Sequence, residues 1–162
     1  KSAVFLDRDG VLNKDYGYVS KYKDFVWTKG IFKTLKFLNK KFDHLFLITN
    51  QSGIGRGYFT ENQFVNLQKK IKKELAKKNI FIDDVFYCPH HPTHGKGIYK
   101  KKCLCRKPKN LLIENAITKW NLDRKKIIMI GDKETDMICA KKSRINFKYY
   151  KNNFYKILSN II

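Results

Sequence analysis

Three short apolar runs, each stopping on a polar tip, constrain this chain more than any other feature. Ala3-Val4-Phe5-Leu6 ends at Asp7, Leu45-Phe46-Leu47-Ile48 ends at Thr49-Asn50, and Ile127-Ile128-Met129-Ile130 ends at Gly131-Asp132. An unbroken apolar run of this length reads as a strand buried on both faces, as in a parallel sheet. Between the runs the period changes. Ile31, Leu35, Phe37 and Leu38 recur at helical spacing within residues 28–41, and Phe64, Leu67, Ile71 and Leu75 do so within 60–78. The second stretch opens on Thr60-Glu61-Asn62-Gln63, a capping box. Asp84 to Cys88 predicts another strand, and Pro108 the first turn of a helix reaching Trp120. A helix over 134–143, a last strand over 145–150 and a short terminal helix complete the pattern, while residues 8–27 and 89–107 read as irregular. Strands alternating with helices predict an α/β domain with a mainly parallel sheet, and no repeat or linker divides residues 1–162. The carboxyl ends of such strands share one edge, so the three polar tips should converge.

Charge offers a competing signal. The chain carries 35 Lys and Arg against 14 Asp and Glu, a net charge of +21, the footprint expected of a polyanion binder. Only five of those cations are arginine, however, and the lysines are scattered among abundant Asn and Ile. That is compositional drift rather than a reading surface, since base readout and phosphate clamping lean on the arginine fork. Nucleic acid is therefore not the expected partner. A 43% hydrophobic content excludes a disordered chain, and no apolar run approaches the roughly 18 residues of a membrane span. No secretory signal is read at Lys1-Ser2, so a cytoplasmic protein, monomeric and with no membrane partner, is expected.

The tips carry the chemistry. Asp7, Asp9 and Asp132 on one sheet edge would repel unless a cation neutralised them, and hard carboxylate oxygens suit Mg²⁺. Such a site suits phosphoryl transfer, with one carboxylate able to attack as a nucleophile. Thr49, the glycine-rich turn after it and Lys107 could hold phosphate oxygens. A single Asp at a strand end is commonly only a helix cap or turn former. Four such elements in a fixed order are a different matter.

A second cluster lies in the irregular segment. Cys88-Pro89-His90 and Cys103-Leu104-Cys105 are two tight pairs separated by 12 residues. Without a secretory signal they read as a metal site before disulfides, and four such ligands suit closed tetrahedral Zn²⁺. His91 and His94 compete for the histidine position, and the pairing with Cys88 favours His90. Cys139, far off on the last long helix, reads as core. Gly53, Gly55 and Gly57 lack dinucleotide-loop spacing.

Asp7-Arg8-Asp9-Gly10, Thr49-Asn50, Lys107 ahead of a helix and Gly131-Asp132 with Asp136 resemble, in that order, the haloacid dehalogenase superfamily of aspartate-nucleophile phosphatases, across about residues 3–145. The resemblance implies a three-layer Rossmann-like fold. It makes Asp7 the nucleophile and Asp9 the general acid and base. Mg²⁺ would sit on Asp7, the Asp9 carbonyl and Asp132. Thr49, Asn50 and Lys107 would hold the substrate's phosphoryl group, and Asp136 would support Lys107 or the metal. Gly17-Tyr18-Val19, the stretch Thr49 to Gly57, Cys88 to Pro92 and Cys105-Arg106-Lys107-Pro108 are similar to one subfamily, that of heptose 1,7-bisphosphate and histidinol-phosphate phosphatases. It has no large cap domain and uses a zinc-stapled loop, here about 88–107, to shape the pocket for a small phosphorylated metabolite. The 12-residue gap and Gly131-Asp132-Lys133 look more like the heptose enzymes, while Thr135-Asp136 leans toward the histidinol ones. Arg106 would reach the substrate. Polynucleotide 3′-phosphatases share parts of the pattern, but Arg8 and the Cys/His loop argue against them.

Overall fold

The computed structural model describes residues 1–151 and 154–159. Five strands, β1 (Ala3–Leu6), β2 (His44–Asn50), β3 (Asp84–Cys88), β4 (Ile127–Gly131) and β5 (Asn146–Tyr149), form one sheet. Its order is β3-β2-β1-β4-β5, and every pairing is parallel. The helices are α1 (Ile31–Lys41), the single turn α2 (Ser52–Gly55), α3 (Glu61–Ala76), α4 (Leu111–Trp120), α5 (Glu134–Lys142) and α6 (Phe154–Ser159).

The apolar runs split by residue parity, as the two-residue period of a strand requires. Val4, Leu6, Leu45, Leu47, Ile128 and Ile130 pack with Ile31, Leu35 and Leu38 of α1 and Leu67, Ile71 and Leu75 of α3. Ala3, Phe5, Phe46, Ile48, Ile127 and Met129 face the other way, onto Leu112, Ile113 and Ala116 of α4 and Cys139 and Ala140 of α5. Both faces are covered, which is why the strands carry no polar alternation. Three layers result, and among the described residues there is one sheet and no separate cap.

The capping box of α3 forms as expected: Thr60 Oγ1 accepts the Gln63 N–H at 3.1 Å, and Gln63 Oε1 accepts the Thr60 N–H at 2.9 Å. A cap contributes about 1 kcal/mol, against roughly 1.5–3 kcal/mol for each large side chain buried. Packing of Phe64, Leu67, Ile71 and Leu75 therefore holds α3 in place, and the cap fixes where it begins. One sequence expectation needs correction. Pro108 does not open a helix: its peptide bond with Lys107 is cis, and α4 begins at Leu111. The reason is the Lys107 main chain, which exchanges hydrogen bonds with the Asn50 amide (3.0 and 3.2 Å) and so belongs to the sheet edge instead. Phe37, half-buried, packs against the edge of the core and also meets the ring of Tyr155.

Residues 8–27 contain only a short 3-10 turn, Tyr22–Asp24, yet they are anchored. Val11, Leu12, Val19 and Phe25 sink into the core on the α1/α3 side. The loop is thereby held over the carboxyl edge of the sheet. No helix among the described residues is long and apolar enough to cross a membrane.

Candidate active site

Because β1 sits between β2 and β4, the tips Asp7, Thr49-Asn50 and Gly131-Asp132 are neighbours. The lysine before α4 reaches into them. Lys107 Nζ lies 3.0 Å from Asp7 Oδ1 and 2.6 Å from Asp136 Oδ1, and donates to the Ile48 carbonyl at 2.9 Å. All three ammonium protons are thus engaged, in a residue only 4% exposed. Burial works against the ammonium, but Asp7 and Asp136 outweigh it and hold Lys107 above its ordinary range. Burial likewise pushes the Asp7 carboxyl up to about 7, with Lys107 pulling it down and Asp136 and Asp9 pushing it up. Asp132 is raised for the same first reason, burial, with Lys133 opposing.

Two glycines make this crowding possible. Gly10 has φ +92°, and a Cβ there would lie 2.0 Å from Asp132 Oδ2; a Cβ on Gly131 would lie 2.5 Å from Asp136 Cβ. Any side chain at either position would occupy the space of a carboxylate.

Asp9 points another way. Its Oδ1 accepts from Arg8 Nη2 at 2.9 Å, Arg8 Nε at 3.3 Å and Asn13 Nδ2 at 3.0 Å, and its Oδ2 accepts from Gln51 Nε2 at 3.0 Å. Gln51 also donates to Thr49 Oγ1 at 3.0 Å. Thr49 is buried beneath the cavity. Asn50, expected at the phosphoryl group, spends its amide on docking Lys107. The sequence assigns no side-chain role to Asn13 or Gln51, and Arg8 enters it only as a motif residue.

A cavity of about 420 Å³ opens over Asp7, Asp9, Lys107 and Asp136, with Tyr18, Arg56, Arg106 and Lys133 on its outer walls. One nitrogen of Arg106, Nη1, is buried with no partner among the described residues. Arg56 stacks over the Tyr18 ring at 5.6 Å. Lys133 forms an ion pair with Asp15 at 3.3 Å across the mouth. The arrangement places one buried ammonium beside the Asp7 carboxylate, with the cations Arg56, Arg106 and Lys133 lining the same cavity.

Among the described residues, two clusters could hold metal. Carboxylate oxygens of Asp7, Asp132 and Asp136 lie within 4.8 Å of one another, as do the ligand atoms of Cys88, His90, Cys103 and Cys105. In the first, Asp132 Oδ1 is buried without a hydrogen-bond partner among the described residues, and an all-oxygen set suits a hard divalent cation. In the second, His90 presents Nδ1 to Cys105 Sγ at 3.3 Å and Cys88 Sγ at 3.6 Å, and Cys88 and Cys103 are 3.5 Å apart. A tetrahedral zinc with Zn–S of about 2.3 Å has ligand–ligand edges of about 3.7 Å, close to these. The Cys88–Cys105 pair, at 2.7 Å, is tighter and would open around an ion. The rival histidine is turned away: His91 Nδ1 accepts N–H groups of Thr93 and His94. Cys139 is fully buried, as expected of core.

Comparison with known proteins gives a consistent picture. Residues 98–149 match the model of the family described as haloacid dehalogenase-like hydrolase. A protein of Haemophilus influenzae, D-glycero-beta-D-manno-heptose-1,7-bisphosphate 7-phosphatase, is 47% identical over 135 residues, covering 83% of this chain and 73% of that one. A protein of Photorhabdus laumondii, D-glycero-alpha-D-manno-heptose-1,7-bisphosphate 7-phosphatase, is 39% identical over 142 residues, covering 88% and 78%. Among solved structures, D,D-heptose 1,7-bisphosphate phosphatase from B. bronchiseptica, complexed with magnesium and phosphate, superposes with a TM-score of 0.78 at 27% identity, covering 99% of this chain and 87% of that one.

Proposed function

The chain belongs to the haloacid dehalogenase-like hydrolases as a phosphatase, and we propose that it removes the 7-phosphate of D-glycero-D-manno-heptose 1,7-bisphosphate through a phosphoenzyme on Asp7. The observation that carries this reading is the pairing of Asp7 with the buried Lys107 at the floor of a cavity whose outer walls are cationic. A bisphosphate needs both ends: a reactive site for one phosphate and fixed positive charge for the other. The 47% identical relative bearing that substrate's name supports the same choice.

An Asp7 carboxylate oxygen attacks phosphorus, and the bond from phosphorus to the sugar oxygen breaks. Asp9 gives that oxygen its proton. Water then attacks the same phosphorus, Asp9 takes the proton back, and the bond to Asp7 breaks to release phosphate. Lys107 neutralises charge on the phosphoryl oxygens and favours the ionised, nucleophilic form of Asp7 against burial. Thr49 and Asn50 support this group from below, through Gln51 and the Lys107 main chain. Arg106, with its unpartnered nitrogen, faces the distal end of the substrate. Mg²⁺, held by Asp7, Asp132 and the Asp9 carbonyl with Asp136 behind, would neutralise phosphate charge.

Turnover of both anomers of the heptose bisphosphate, of histidinol phosphate and of a 3′-phosphorylated oligonucleotide tests the substrate. A heptose bisphosphate should exceed the other two in kcat/KM by roughly tenfold or more. A preference for histidinol phosphate or the oligonucleotide would overturn the assignment.

The Cys/His loop is read as a zinc staple on Cys88, His90, Cys103 and Cys105. Burial pushes the Cys88 thiol far above its ordinary range, with the Cys105 and Cys103 thiols adding to the effect, so ionising this cluster calls for a cation in its midst. Metal analysis of purified protein should find about one Zn²⁺ per chain, lost in Cys103→Ala. Zinc-free wild-type protein would refute the staple.

A further inference from the structure

Arg8 is the largest fully buried side chain in the described structure, at 0% exposure. Burying a guanidinium is expensive unless it is paired and hydrogen-bonded. Its partners are the Asp9 carboxylate, through Nη2 and Nε, and the Val19 carbonyl, through Nη2 at 2.8 Å. Nη1 has no partner among the described residues. Phe64 of α3 lies under its guanidinium at 5.8 Å, so the head is walled in and cannot swing to solvent. Nothing in the phosphoryl-transfer scheme above uses this cation. Arg8 meets Asp7 only through its main-chain N–H, which donates to Asp7 Oδ1 at 2.9 Å, and it is absent from the cavity wall.

The distribution of bonds on Asp9 shows what it does. Oδ1 is saturated by the arginine and Asn13, while among the described residues Oδ2 accepts only from Gln51. Only Oδ2 can exchange that single bond for a proton and a leaving oxygen. Anchoring Oδ1 fixes where Oδ2 points, because a carboxylate held at one oxygen keeps only small freedom at the other. A general acid must come within about 2.6–3.2 Å of the oxygen it protonates, so that direction matters. The second tie runs to Val19, next to Gly17 and Tyr18, which line the cavity with φ of +77° and +53°. One buried guanidinium therefore joins the acid to the loop that faces the substrate.

We infer that Arg8 is a positioning residue, which locks Asp9 with Oδ2 toward the leaving oxygen and ties that orientation to the Gly17–Val19 loop. The inference rests on the reading of Asp9 as general acid. A lysine cannot replace it, since a point charge lacks the fork that spans Asp9 and Val19.

The test compares two esters in kcat/KM, which reports only the steps through transfer to Asp7. The 7-phosphate of the heptose bisphosphate is an alkyl ester whose oxygen needs a proton to leave. p-Nitrophenyl phosphate releases p-nitrophenolate, which leaves without one. Asp9→Asn serves as the reference and should depress the alkyl ester far more than the aryl ester. Arg8→Lys should follow it, with a loss on the alkyl ester roughly tenfold or more greater than on the aryl ester. Equal losses on both esters, or no loss, would overturn the role of Arg8. Asn13→Ala weakens the same anchor without touching Asp7, Lys107 or Thr49. It should show a smaller effect of the same kind, and it decides the matter if Arg8→Lys fails to fold. If Asp9→Asn itself hits both esters equally, the general-acid reading fails first, which separates that failure from this one.

Discussion

Replacing Asp7 by asparagine is expected to abolish phosphate release while leaving the fold as stable as before. The amide oxygen is too weak a nucleophile to attack phosphorus, and removing a nucleophile lowers turnover by roughly 10⁴-fold or more. Stability should behave differently. Asp7 is 5% exposed, and burial already pushes its carboxyl up to about 7, so the site bears the ionised form reluctantly. An isosteric neutral amide removes that burden. Lys107 keeps Asp136 and the Ile48 carbonyl as partners, so no unpaired charge is created. A melting temperature within a few degrees of wild type and an unchanged zinc content would show that only the chemistry is lost. A variant that retains more than about one hundredth of wild-type turnover would sink the assignment of Asp7.

How far the sequence carried depends on the kind of contact. Strand ends were legible because a buried parallel strand is an apolar run and its end is the first polar residue. Asp7, Thr49 and Asp132 followed directly, and the parallel order then put them side by side. The zinc-type cluster was legible because its donors come in close pairs along the chain, so His90 could be preferred over His91 before any coordinates. Asp136 was legible as a partner of Lys107 only through the family resemblance, and their 2.6 Å contact spans 29 residues. What stayed hidden were contacts with no period and no spacing. The Asn50 amide is committed to the Lys107 main chain across 57 residues. That distant contact also withdrew Pro108 from the helix its chemistry suggested. The anchor on Asp9 comes from Arg8, Asn13 and Gln51, three side chains that any local reading assigns to loops. The +21 charge, read as compositional drift, said nothing of where a single cation matters. Arg8, bonded to Asp9, is wholly buried and invisible in a surface total.

Lys107→Met tests the buried triad and should be the most damaging substitution to the molecule as a whole. It removes the ammonium shared by Asp7 and Asp136, at 3.0 and 2.6 Å, in a site where all three residues are at most 5% exposed. Breaking a buried pair by deleting one partner costs about 3–5 kcal/mol, because the remaining charge stays desolvated. Here two carboxylates are left, with Asp132 close by. Thermal or denaturant unfolding should report that loss, and turnover should fall by roughly 10²–10³-fold, the scale of one preorganised charge at a developing anion. The two effects can be separated. Adding Asp136→Asn removes one of the stranded carboxylates and should restore much of the stability, yet none of the activity, since the phosphoryl group still lacks its cation. Mg²⁺ should also raise the melting temperature of Lys107→Met more than that of wild type, by supplying charge to the same oxygens. If the double variant regained activity along with stability, Lys107 would be a structural counter-ion only. If Lys107→Met were as stable as wild type, the triad would not carry the electrostatic load assigned to it.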